Sequence, residues 1–134
     1  MTRTDSPRRP ATGRALTALG IDVILVLVFA AVGRGSHGED VIGGLADTAW
    51  PFLLGLLVGW LAGVGALRNR FEPRRPAPAG VLIWACTLGV GMLARVLTGQ
   101  GTAPTFILVA GVVLAAFLIG WRALGLFVDR GRRR

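Results

Sequence analysis

Six polar or aromatic residues lie where apolar sequence makes a polar group costly: Asp22, Arg34, His37, Asp47, Trp50 and Arg95. A charge in the middle of a bilayer costs roughly 2.5–3.5 kcal/mol on insertion scales, so each needs a partner or a purpose. Arg34 and His37 are three apart and share a face if the first apolar run continues as helix. Trp84, Thr87, Leu88, Gly91 and Arg95 fall on one helical stripe with an aromatic, a hydroxyl, a small residue and a charge. Asp47 is the obvious counter-ion for Arg95 or Arg34, because pairing removes most of the burial penalty. Arg34, His37, Asp47, Trp50 and Arg95 are therefore predicted to converge in an outward-facing polar pocket. The alternative is that long arginine stems simply carry each charge to the headgroups. Asp22 sits about a third of the way into its run. It would act as a proton- or cation-coupled carboxylate, or be satisfied by Arg14, Thr17 or a neighbouring helix.

Other chemistries lack their residues. One His and one Cys are too few soft ligands for a metal site, and Cys86 alone cannot close an intrachain disulfide. GxSxG, HExxH, Walker and paired-cysteine motifs are absent, and Gly99-Gln100-Gly101 lacks the third glycine of a dinucleotide loop. No enzyme, metal or cofactor is predicted. A net charge of +8 and a pI near 11.8 would suggest nucleic acid in a soluble protein. All fifteen Lys-plus-Arg positions are Arg, however, and they flank apolar runs. The positive-inside rule explains them without a nucleic-acid partner.

The elements that must position these residues are membrane spans. The chain has 134 residues, 53% of them hydrophobic, with mean hydropathy +0.63. Spans are predicted at about 15–33, 48–67, 79–97 and 105–128, between a disordered basic tail at 1–14 and a basic tail at 129–134. The first run could also be a secretory signal, but it is longer than such a core and three more spans follow. Linker 68–78 is basic and broken by proline, while turn 98–104 is short enough to make spans three and four antiparallel neighbours. In the second span Asp47, Pro51, Gly55, Gly59 and Gly63 recur every fourth residue. Pro51 is expected in the first turn, where its missing N–H costs nothing. The Gly55, Gly59 and Gly63 face would admit a close partner helix, from a second copy or another membrane protein. The fold class is all-α: an integral membrane bundle of four transmembrane helices.

Thirteen arginines flank one side of these spans: Arg3, Arg8, Arg9, Arg14, Arg68, Arg70, Arg74, Arg75, Arg122, Arg130, Arg132, Arg133 and Arg134. Only Arg34 and Arg95 flank the other, so both termini are predicted to be cytoplasmic. Trp60 and Trp121 would then belong to an aromatic belt at the inner interface and Trp50 at the outer one. An offset of 61 residues places Arg34 on Arg95, Gly38 on Gly99 and Gly59-Trp60 on Gly120-Trp121. This suggests two parallel hairpin repeats, against chance matching in a glycine- and leucine-rich sequence.

With these residues placed, the chain resembles the small prokaryotic membrane proteins grouped as domain of unknown function 3054. The likeness rests on Asp22, Phe29, Gly33-Arg34, Ser36-His37-Gly38, Thr48-Ala49-Trp50-Pro51-Phe52-Leu53 and Gly59-Trp60. It continues through Trp84, Thr87, Gly91-Met92, Arg95, Phe106 and Gly120-Trp121-Arg122. The resemblance implies four spans in a prokaryotic plasma membrane and no particular activity. Small multidrug exporters offer an architectural analogy, with a carboxylate in the first of four spans. The Asp in place of their acid and the lopsided arginines depart from it. A transport or permeation component for a small solute or ion is one reading, with Asp22, Asp47 and Arg95 along the route. A non-catalytic membrane interaction or assembly protein is the other, and an intramembrane enzyme lacks a nucleophile–base pair.

Overall fold

The computed structural model describes residues 11–134, so the predicted disordered tail lies outside the described residues as far as residue 10. Helices α1 (Ala11–Ser36), α2 (Val41–Ala62), α3 (Val81–Leu97), α4 (Pro104–Leu118) and α5 (Gly120–Arg132) follow in order, with no strand among the described residues. The first helix thus begins at Ala11, inside the segment predicted to be tail. With their flanking turns these helices form four apolar stretches, each long enough to cross a membrane: Thr12–Ser36, Val41–Arg70, Pro76–Leu97 and Pro104–Arg132. Ile24, Val32, Leu61, Leu108 and Val112 point outward, as they must when lipid is the solvent.

The spans close a ring in which α2 lies between α1 and α3, and α4 packs on α3 and α1. The tightest seam is α2 on α3. A Cβ added to Gly55 would meet the Thr87 carbonyl at 2.6 Å, and one on Gly59 the Ile83 Cα at 3.0 Å. Gly63 lies under the Phe71 ring. The partner helix for the glycine face is therefore α3 of the same chain, and that face is not open to a second copy. Val26, Phe52, Ile83, Leu114 and Leu118 fill the centre.

Pro51 is a correction. Because α2 starts at Val41, Pro51 stands well inside the helix rather than in its first turn. Proline has no N–H to give the carbonyl four residues back, which is that of Asp47. The Gln100 side-chain amide, from the α3–α4 loop, approaches that carbonyl at 3.4 Å.

Both short loops leave their helices in the same way. Gly38 and Gly99 adopt φ of 69° and 71°, a region only glycine enters cheaply. The Glu39 amide bonds the Arg34 carbonyl at 3.1 Å, and the Gln100 amide bonds the Arg95 carbonyl at 2.8 Å. This is the helix ending in which an arginine sits at the start of the last turn and a left-handed glycine follows it. At the opposite end of the bundle the linker after α2 folds back, and Phe71 packs edge-on against Trp60 at 5.6 Å.

Candidate functional site

Two arginine-centred sites occupy opposite ends of the bundle. At the end bearing the termini, Asp22 of α1 and Arg122 of α5 are both 0% exposed. Arg122 donates from one terminal nitrogen to Asp22 Oδ1 at 2.8 Å and from the other to Oδ2 at 2.6 Å. The Trp60 indole donates to Oδ2 at 2.9 Å and the Trp121 indole to Oδ1 at 2.8 Å. Arg122 also donates from Nε to the Pro73 carbonyl at 2.8 Å and from Nη1 to the Leu118 carbonyl at 2.6 Å. Gly80 makes room for its stem, since a Cβ there would lie 2.9 Å from Arg122 Cδ. The partner for Asp22 is thus in a neighbouring span, not Arg14 or Thr17; the Thr17 hydroxyl bonds the Gly13 carbonyl instead. Four donors on two carboxylate oxygens make this a neutral, fully bonded unit, which is how an ion pair survives in apolar surroundings. Asp22 is not part of the lining of the cavity at the other end.

The other site lies where the two short loops meet. Arg34 donates from Nε to the Asp40 carbonyl at 2.7 Å and from one terminal nitrogen to Thr48 Oγ1 at 3.0 Å. That same nitrogen pairs with Glu39 Oε2 at 2.9 Å. Arg95 donates from Nε to the Gly101 carbonyl at 3.1 Å and from a terminal nitrogen to Gln100 Oε1 at 2.9 Å. Its other terminal nitrogen reaches the Gly101 carbonyl at 2.7 Å, and its guanidinium carbon lies 4.6 Å from the centre of the Phe106 ring. Between these two arginines is a partly open cavity of about 470 Å³. Its polar rim includes Ser36, His37, Glu39 and Thr48, while Phe29, Ala30, Phe106, Val109 and Ala110 form an apolar wall between α1 and α4.

The predicted polar cluster therefore divides. Arg34, His37 and Arg95 share one cavity, whereas Asp47 and Trp50 lie outside its lining. Asp47 is the counter-ion of neither arginine; Glu39 fills that role for Arg34, and Arg95 is held by neutral acceptors. Trp50 is 39% exposed on the bundle's flank. His37 Nδ1 is 2.8 Å from the Gly33 carbonyl, which can only accept, so Nδ1 carries the hydrogen. Ser36 Oγ donates to the same carbonyl at 2.8 Å, so both side chains finish α1.

Arg122, Trp60 and Trp121 were legible only as flanking charge and interfacial belt, and their convergence on Asp22 had one visible signal: Trp60 and Trp121 are related by the 61-residue offset. The same offset carries Arg34, Gly38, Glu39 and Asp40 onto Arg95, Gly99, Gln100 and Gly101. Every bond from Arg34 to its own loop thus has a counterpart around Arg95.

Four apolar spans around a bonded intramembrane ion pair define a multi-pass membrane protein. The chain belongs to the family described as protein of unknown function (DUF3054), whose model matches residues 19–125. No curated protein and no solved structure matches it.

Proposed function

We propose that this protein is a non-catalytic, ligand-binding component of a prokaryotic plasma membrane with a transport-related role. In this reading both termini are cytoplasmic and the cavity faces outward. The supporting observation is the cavity between Arg34 and Arg95, which combines two guanidinium groups with an aromatic and aliphatic wall. A mostly apolar pocket with a few fixed polar groups is the usual form of a small-molecule site. The orientation rests on the arginine asymmetry, and removing Arg122 from the flanking charges leaves that asymmetry in place.

Asp22 and Asp47 drop out of the proposed solute route, because neither lines the cavity. Titrating small amphiphiles into the purified protein in neutral detergent tests the reading, with flux into proteoliposomes as the second measurement. Saturable uptake of one molecule per chain, weakened by Arg95→Gln, is the expected result; absence of any saturable ligand sinks it. One observation favours a membrane assembly role instead. Phe52, Ile83 and Leu114 are fully buried in the bundle's centre, which favours capture over passage.

A further inference from the structure

The geometry points to the ligand class: the cavity takes an amphiphile whose anionic phosphate or carboxylate head docks on Arg95 and whose apolar tail lies between α1 and α4. This inference rests on the cavity being a binding site. Its basis is a difference between two otherwise matched arginine turns. Arg34 and Arg95 each bond their own loop through Nε and a terminal nitrogen, and the residue five positions on supplies the side-chain acceptor in both. In the first turn that acceptor is Glu39; in the second it is Gln100. The amide reproduces the hydrogen bond and omits the charge.

Among the described residues, Arg122 has Asp22 and Arg34 has Glu39, but Arg95 has no carboxylate within ion-pair distance. Glu39 borders the same cavity, yet its carboxylate is taken by Arg34. The rim thus holds two guanidinium groups against one carboxylate. A half-buried cation at a membrane interface with neutral partners only is a place for an oxyanion, and guanidinium suits phosphate or carboxylate geometry. The rest of the lining fits the tail. Phe29, Ala30 and Ala110 are buried along the wall, and Val109 is 58% exposed on the apolar flank, so the cavity extends to the lipid-facing surface.

The test uses the full chain in a neutral maltoside detergent, titrated with lysophosphatidic acid and read by native mass spectrometry. Monoacylglycerol serves as the neutral amphiphile and inorganic phosphate as the tail-less anion. One lysophosphatidic acid per chain should bind about tenfold or more tightly than monoacylglycerol, the size of one charge-assisted contact. Arg95→Gln should abolish that preference and Arg95→Lys should retain part of it. Gln100→Glu should abolish it too, by supplying the carboxylate that Glu39 supplies to Arg34, while the unfolding temperature stays level or rises. Equal binding of monoacylglycerol, indifferent to Arg95→Gln, overturns the anionic class and leaves the cavity as a site. Inorganic phosphate binding as tightly as lysophosphatidic acid removes the tail. If no amphiphile binds at all, the cavity is not a site and the function proposed above goes with it.

Discussion

Arg122 and Arg95 both sit within apolar spans, and the contrast between them divides the molecule. Arg122 is sealed from solvent, and every one of its nitrogens is bonded to a carboxylate or a carbonyl. Arg95 is half-buried beside a cavity and meets only neutral acceptors and the face of Phe106. The closed site has what stability requires, while the open one keeps a charge that the chain leaves unanswered. The 61-residue correspondence in the sequence sharpens the difference. Offset by 61 residues, Asp22 falls on Ile83 and Leu61 falls on Arg122, so each half contributes one charge to the closed pair and both contribute a tryptophan. At the open end each half contributes an arginine, and the side-chain acceptor from its own loop is a carboxylate, Glu39, in one and an amide, Gln100, in the other.

The largest expected effect comes from breaking the closed pair. Asp22→Asn should leave Arg122 buried without a counter-charge and lower stability by about 3–5 kcal/mol. The combined Asp22→Leu, Arg122→Leu change should recover part of that loss, since it removes the unpaired charge but leaves the Trp60 and Trp121 indoles without their acceptor. Denaturation followed by circular dichroism in detergent checks both. Next, Trp60→Phe and Trp121→Phe should each cost about 1.5–3 kcal/mol, the value of a hydrogen bond to a charged group. If only one of them matters, the two halves do not share the carboxylate equally. Gly55→Ala should cost roughly 1–3 kcal/mol by overpacking α2 on α3, measured in the same unfolding experiment. At the open end, Glu39→Gln should leave Arg34 without its carboxylate and tighten lysophosphatidic acid binding in the shared cavity, still one per chain, with little change in stability. Pro51→Ala should change stability by about 1 kcal/mol or less, by giving the Asp47 carbonyl a helical donor in place of Gln100. Faster hydrogen exchange in the α3–α4 loop, and not in the α1–α2 loop, would show it.

The four spans were legible because apolar runs of bilayer length leave few other solutions. Asp22 stood out for the same reason, as an acid in an apolar run. Its partner did not, since Arg122 lies 100 residues away among arginines that flanking charge already explained. The polar pocket was half legible. Helical spacing grouped Arg34 with His37, but no spacing rule distinguishes Asp47 from Glu39 as the acid that reaches Arg34. Pro51 was misplaced because the sequence predicts a second span starting at about residue 48, whereas the helix starts at Val41 and runs through Gly43-Gly44. The Arg34 guanidinium lies against Gly44, and a side chain there would have to displace it. That is a demand of packing and leaves no mark in local propensity. The glycine face was legible as a helix seam, and its partner became visible only with the bundle assembled.

The Asp22–Arg122 pair also has a consequence for biogenesis. The acid is synthesised 100 residues ahead of the base that answers it. Until the last span is made, the carboxylate has only the Trp60 indole of the second span to meet it, so the charge pair can close only once the final helix exists.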